Sequence, residues 1–424
     1  VSDRVVGGTP VRGEFEVPGS KSYTHRALVL GALSGRRFRV RRPLDSEDTR
    51  ATARGLTQLG SQVHRLSEAW VVDPSSGSVG RRGWIDCGES GTTLRFLLPL
   101  AARGTEPFGF RGTGRLADRP IEPLLDVLRQ GGVRTRLPSG KGAIVEVRGP
   151  LTPVDTVLDP SGSSQFLSAL LLTLPALSSP SRLRLSRAEV SRPYRAATEA
   201  VLRAAGVVVR RRGTTIRLDA PQTYHGESWD VPADASSAAY GWGAAAASGG
   251  TVSVRGIDRR WPQADLALLP WLRAMGATVR VADDTVRVEG PVDRPLQADL
   301  TDAPDLLPLV TALTAIVPGR SILRGATHAS AKESDRRHES ARLARALGAT
   351  VELSGDRIVV RGVRSRRALR YRSPSDHRLV MSAAAVSAGL PGGSRVGPAE
   401  VVRKSFPDFW RSLGGIGLAS EVAR

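Results

Sequence analysis

The chain has 424 residues and 40% hydrophobic content, too long for one ordinary domain and enough for two domains of about 200 residues each. Aromatics make up 5%, so the cores must be built mainly from Ala, Leu and Val, and the single cysteine, Cys87, excludes an intramolecular disulfide and a cysteine-rich zinc site. A formal charge of +20 points to anionic partners without choosing among nucleic acid, a membrane surface and phosphorylated metabolites.

At the start, Val1-Ser2-Asp3-Arg4 has no apolar signal core, and the longest apolar stretch, residues 166–177, is too short to span a bilayer. A soluble, cytoplasmic protein without a membrane partner is expected. Six small polar clusters then recur about every 70 residues, a period longer than that of a typical solenoid. They are Pro18-Gly19-Ser20-Lys21-Ser22, Gly88-Glu89-Ser90-Gly91-Thr92, Ser161-Gly162-Ser163-Ser164-Gln165, Asp234-Ala235-Ser236-Ser237, Thr301-Asp302-Ala303-Pro304-Asp305 and Ser373-Pro374-Ser375-Asp376-His377. Each leads into an Ala/Leu-rich stretch, apolar on every side and therefore expected to be a buried helix.

A second helical pattern follows in each unit and stops at a glycine, as at Leu59-Gly60, Ala205-Gly206, Met275-Gly276 and Leu347-Gly348. Val-rich runs such as Ala277-Thr278-Val279-Arg280-Val281 read as the strands that come next. Six related units of strands plus two helices are predicted. The polar clusters cap their helices, but capping explains Ser and Asp and not Lys21, Arg26, Gln165 or His377. Buried helices that aim their N-termini at one cavity bind anions through unpaired N–H groups and the helix dipole.

The basic residues carry one more signal. Only four of the 61 Lys and Arg side chains are lysine, and Lys21, Lys332 and Lys404 sit in polar, turn-rich motifs, whereas Lys141 lies in a plain Gly-Lys-Gly turn. A compact ammonium suits a phosphate oxygen where a guanidinium does not. The one dense cluster, Arg36 to Arg42, alternates with apolar residues and lacks aromatic partners, so it reads as a solvated strand face rather than a nucleic-acid patch.

With these motifs in order, the chain resembles the 5-enolpyruvylshikimate-3-phosphate synthase family. The matching segments are Pro18 to Ser22 with Arg26, Ser90-Gly91-Thr92-Thr93-Leu94-Arg95, Asp118-Arg119-Pro120, Ser163-Ser164-Gln165-Phe166, Ser191-Arg192-Pro193-Tyr194, Asp234 to Ser237, Lys332-Glu333-Ser334-Asp335-Arg336, Asp376-His377-Arg378 and Lys404-Ser405-Phe406-Pro407-Asp408. The resemblance implies an α/β enolpyruvyl transferase fold of six β-α-β-α-β-β units, three per domain, arranged as an inside-out α/β barrel. It implies a discontinuous domain of residues 1–19 and 233–424, an inserted domain of residues 20–232, and an active site in the cleft between them. The implied reaction moves the enolpyruvyl group of phosphoenolpyruvate to the 5-hydroxyl of shikimate 3-phosphate and releases phosphate. No metal or cofactor is implied, and the protein is expected to act as a monomer.

Carried over by motif, phosphoenolpyruvate would meet Lys21, the Gly91 backbone, Arg119, Gln165, Arg336, Arg378 and Lys404. Shikimate 3-phosphate would meet Lys21, Ser22, Arg26, Ser163, Ser164, Gln165, Ser191, Asp305, His328 and Lys332, with Tyr194 as a wall. Asp305 would take the hydroxyl proton, and Glu333 would work at the methylene carbon with Lys21 assisting. Three positions depart from the family pattern: Glu89 stands where Asn is usual, His328 where Asn occurs, and Phe96 where Pro is usual. Gly91 suggests glyphosate sensitivity, to a degree that Phe96, bulkier than the usual Pro, leaves open.

Two rivals are weighed. A transferase acting on UDP-N-acetylglucosamine would carry Cys or Asp in the loop before the Arg-Pro pair, and residues 112–117 have neither. A nucleic-acid-binding protein of related fold is suggested by the sequence pI of 11.3 but is opposed by the scarcity of aromatics.

Overall fold

The computed structural model describes residues 2–74, 82–364 and 367–423. Its helices are α1 (Lys21–Leu33), α2 (Glu47–Gln58), α3 (Gly91–Ala101), α4 (Glu122–Gln130), α5 (Ser164–Thr173), α6 (Arg192–Ala204), α7 (Ala235–Ser248), α8 (Leu268–Ala274), α9 (Leu307–Ala315), α10 (Arg336–Ala346), α11 (His377–Ser387) and α12 (Phe409–Gly415). Six four-stranded sheets accompany them.

One pairing scheme serves all six sheets. Strand Asp155–Leu158 runs parallel to Ser181–Leu185, which pairs antiparallel with Thr215–Leu218, and Val209–Arg212 forms the edge. A parallel neighbour needs a crossover, which α5 supplies, whereas the last two strands need only a tight turn. In chain order this is β-α-β-α-β-β.

Contacts divide the chain into a terminal unit, Val1–Pro18 with Ala233–Arg424, and an inserted unit, Gly19–Pro232. Strand Arg12–Glu14 precedes α1 in sequence but lies parallel to Thr251–Val254, while Ser228–Asp230, just before α7, lies parallel to Phe38–Arg41. The opening strand of one repeat in each unit is thus supplied across the chain crossover. The last repeat closes with Arg4–Val6, antiparallel to both Ser394–Gly397 and Ser420–Val422.

Within the inserted unit α1, α3 and α5 form the interior, and within the terminal unit α7, α9 and α11 do. Every residue of α9 and α11 is buried, as their apolar sequences dictate. Phe166, Leu167, Leu170, Leu171 and Leu172 of α5 are fully buried, each with about 1.5–3 kcal/mol of transfer free energy. The sheets cover these helices with alternating faces. Ser181, Leu183 and Leu185 point inward and Arg182 and Arg184 outward, and Phe38 and Val40 point inward while Arg39 and Arg41 are solvated. Helices inside and sheets outside make each unit inside-out, with three separate sheets rather than one closed barrel.

Gly19, the first residue of the inserted unit, holds the segment before α1 against its neighbours. A Cβ there would run into the Arg42 carbonyl and approach Val231 Cγ1 to 3.1 Å. Gly19→Ala is expected to cost about 1–3 kcal/mol through overpacking. An unchanged midpoint in chemical denaturation would contradict this packing.

Candidate active site

In the inserted unit the predicted residues gather at the N-terminal ends of α1, α3, α5 and α6. Lys21 opens α1 and pairs with Asp48 at 2.9 Å. Arg26 is buried one turn further on, where Nη1 donates to the Ser22 carbonyl and Nη2 to the Tyr194 carbonyl, both at 2.8 Å, and Nε donates to Thr198 Oγ1 at 2.8 Å. Its guanidinium lies 5.3 Å from the centre of the Phe96 ring, a cation–π contact. The bulky residue in the proline position therefore serves as the floor under Arg26.

Ser90 caps α3 by accepting from the Thr93 amide, and Ser163 caps α5 by accepting from the Gln165 amide. Gln165 is fixed by Arg95 Nη1, 2.6 Å from its Oε1, and by its own Nε2 donating to Thr92 Oγ1 at 2.8 Å. At Gly91 a Cβ would meet Arg95 Nη1 at 3.0 Å and Arg119 Nη1 at 3.1 Å, so two guanidiniums border the bare backbone at the start of α3. Ser164 opens α5 beside Gln165. Ser191 precedes α6 with φ 54°, a left-handed conformation uncommon for serine and often found at functional sites. Glu89 packs against the Gly114 turn, where a Cβ would meet its Cδ at 2.8 Å.

In the terminal unit the charges form one buried network. Arg336, at the first position of α10 and 1% exposed, donates to Asp305 at 2.6 Å, Glu333 at 2.5 Å and Asp376 at 2.8 Å. Arg378, on the first turn of α11, donates to the other oxygen of Asp305 at 2.9 Å and lies 3.8 Å from Asp265. Lys332 stands 4.0 Å from Asp305. Lys404 donates to the Ser375 carbonyl at 3.1 Å in a turn whose Ser375 has φ 64°. His328 is half-buried in the 3-10 turn Thr327–Ala331. Among the described residues no group of three or more His, Cys, Asp or Glu side chains is arranged to hold a metal ion.

A family model described as EPSP synthase (3-phosphoshikimate 1-carboxyvinyltransferase) matches residues 5–413. The chain belongs to the EPSP synthase family. A 3-phosphoshikimate 1-carboxyvinyltransferase of Methanoculleus marisnigri is 35% identical over 96% of this chain and 98% of its own. That of Syntrophobacter fumaroxidans is 36% identical over 95% of this chain and 96% of its own. The solved EPSP synthase of Acinetobacter baumannii shares the fold, with a TM-score of 0.81 at 24% identity and full coverage of both chains. The enolpyruvyl transferase NikO of Streptomyces tendae does so with a TM-score of 0.79 at 18% identity.

In this EPSP synthase family member the capping account holds at Ser90, Ser163, Asp234 and Asp376, whose side chains accept helix amides. It fails at Ser20, which makes no side-chain cap, and at Asp305, which sits in the 3-10 turn Pro304–Leu306 and turns its carboxylate to Arg336 and Arg378. Burial raises the Asp305 carboxyl, but Arg378, Lys332 and Arg336 outweigh it and hold the group well below the usual range. Burial, followed by Lys332, pushes His328 down to about 4, so its ring is neutral at neutral pH.

Sequence reasoning missed Asp48, the partner of Lys21, and Asp265. Asp265 is buried on the 3-10 turn Ala264–Ala267, where one oxygen accepts from Ser236 and the other has no hydrogen-bond partner. Burial pushes it up to about 6, partly offset by Arg378 and reinforced by Asp305. No local motif marks Asp265; the signal is its tertiary contact with Ser236 and Arg378.

Arg336→Met would take a charged partner from three carboxylates in the interior and is expected to cost about 3–5 kcal/mol. Denaturant titration checks this, and a loss below 1 kcal/mol would contradict the network. Asp265 titrates near 6 when folded, above the ordinary value of about 3.9. The folded state therefore retains its proton between those values, and its contribution to stability is lost as pH rises through about 6. The melting temperature of Asp265→Asn relative to the parent should rise as pH goes from about 4 to about 6 and level off above about 7. A difference independent of pH would contradict the assignment.

Proposed function

We propose that the chain transfers the enolpyruvyl group of phosphoenolpyruvate to the 5-hydroxyl of shikimate 3-phosphate, releasing inorganic phosphate, as a cytoplasmic monomer without a cofactor. The observation that carries this is the matched pair of sites. One unit offers helix N-termini with Lys21, Arg26, Arg119 and Gln165, and the other offers Arg336, Arg378, Lys332 and Lys404 around two acidic groups. Neither set alone matches two phosphates and two carboxylates. On this reading both units act on one substrate pair.

Shikimate 3-phosphate meets Lys21, Ser22, Arg26, Ser163, Ser164, Gln165 and Ser191 on the inserted side, and Asp305, His328 and Lys332 on the other. Phosphoenolpyruvate places its phosphate on Lys21, Lys404, Arg119 and the Gly91 amide, beside Gln165. Its carboxylate takes Arg336 and Arg378, whose planar forks accept it bidentately. That carboxylate competes with Asp305 for the same two guanidiniums. Loss of those cations raises the Asp305 carboxyl from its depressed range, so the base becomes effective only once the second substrate is bound.

The 5-hydroxyl oxygen then bonds to C2 of phosphoenolpyruvate as Asp305 takes its proton. Glu333, which takes up a proton from solvent as the substrate carboxylate draws Arg336 away from it, delivers that proton to C3, which becomes a methyl group in a tetrahedral intermediate. In the second step the bond from C2 to the phosphate oxygen breaks. Glu333 recovers a methyl proton and the vinyl ether double bond forms. Lys21 stands by to assist the proton movement, and the surrounding cations stabilise the departing phosphate.

Phosphate release should require shikimate 3-phosphate and should not occur with UDP-N-acetylglucosamine; release with the nucleotide sugar alone would overturn the assignment. Asp305→Ala and Glu333→Gln should each lower kcat by about 10²–10⁴ with KM values changed only a few-fold. Unaltered turnover in both variants would overturn the acid and base roles.

A further inference from the structure

Four buried polar side chains that the reaction above does not use form a continuous line to the start of α3. His25, 1% exposed and on the second turn of α1, has Nδ1 2.7 Å from Thr52 Oγ1 on α2. Thr52 Oγ1 is 2.7 Å from Thr93 Oγ1 on α3, and Thr93 Oγ1 is 2.7 Å from Ser90 Oγ at the helix cap. Thr52 and Thr93 are wholly buried, so no solvent competes along the line.

Each hydroxyl owns one proton, and the line therefore runs in one of two directions. With the ring proton on Nδ1, donation passes from His25 to Thr52, Thr93 and Ser90. Ser90 Oγ then accepts from both the Thr93 hydroxyl and the Thr93 amide, the latter at 3.1 Å, and directs its own proton away from the chain. In reverse, Ser90 spends its proton on Thr93, and the ring proton moves to Nε2. Nε2 is buried without a hydrogen-bond partner. An orphaned N–H donor is rarer in proteins than an under-used acceptor, which favours the first direction. The Asp48 carbonyl, 3.2 Å from Thr93 Oγ1, is the longer alternative acceptor. Burial and then the charges of Lys21 and Arg26 keep the imidazole neutral, so one tautomer and one direction persist.

We infer that His25 is a positioning residue that fixes the direction of this hydroxyl line so that Ser90 donates its proton to the phosphate of phosphoenolpyruvate at the N-terminus of α3. The inference rests on the placement of that phosphate beside Gly91. Recognition there combines the helix amides with one oriented hydroxyl, and the orientation is set by a ring on a different helix.

The test is steady-state kinetics on the full chain with both substrates varied. His25→Leu and Thr52→Val should each raise KM for phosphoenolpyruvate about tenfold, the worth of one hydrogen bond to a charged group. kcat and KM for shikimate 3-phosphate should stay within about twofold. The double variant should be no worse than either single, Ser90→Ala should show the same rise and become insensitive to His25→Leu, and His25→Gln, which keeps a donor, should recover most of the loss. Thr52→Val preserves shape and decides the matter if His25→Leu does not fold. Additive losses, parallel rises in both KM values, or an unchanged KM for phosphoenolpyruvate in a folded variant would overturn the inference. A parent protein that releases no phosphate would instead overturn the underlying reading and take the inference with it.

Discussion

A guanidinium buried among three carboxylates organises the terminal unit. Arg336 is 1% exposed and holds Asp305, Glu333 and Asp376 together, with Arg378 as a second cationic partner of Asp305. Such a cluster contributes little net stability over an apolar replacement, but removal of its centre is costly. Its value is positional, because it brings Asp305 and Glu333 to one guanidinium. On the proposed reading it also makes the site sensitive to an arriving carboxylate, which competes for the same donors.

The inserted unit solves the complementary problem with backbone rather than charge pairs. Helices α1, α3 and α5 are largely buried, and on the proposed reading the amide groups and capping hydroxyls of their first turns do much of the anion binding. Two arginines beside them are steadied by an aromatic ring and a backbone carbonyl: Arg26 over Phe96 with its Nη2 on the Tyr194 carbonyl, and Arg95 over Phe166 with its Nη2 on the Pro120 carbonyl. Such partners on Arg26 and Arg95 limit the ordering that substrate binding must impose.

Much of this architecture is legible in the sequence because it is local. Capping residues, all-apolar helices and glycine stops recur with each repeat, and six units of strands plus two helices follow from them, whereas the β-α-β-α-β-β order is implied only by the family resemblance. The strand exchange at Arg12–Glu14 and Ser228–Asp230 is not legible, since each strand pairs with a partner far along the chain and leaves no periodic mark. The same holds in the site. Lys21, Arg336 and Arg378 stand in motifs, whereas Asp265 and His25 acquire their roles only from side chains on other elements. Asp48 is concealed for a different reason, because it lies within the Ser46–Thr49 capping box and reads as an ordinary first-turn acid.

The claim that binds these parts together is the exchange of partners at Arg336 and Arg378. A crystal structure of the Glu333→Gln protein with phosphoenolpyruvate and shikimate 3-phosphate tests it directly. The substrate carboxylate should lie on both guanidiniums, with Asp305 released from Arg378 and within hydrogen-bonding distance of the 5-hydroxyl. Substrates bound elsewhere, or Asp305 still paired with both arginines beside a bound carboxylate, would contradict the account.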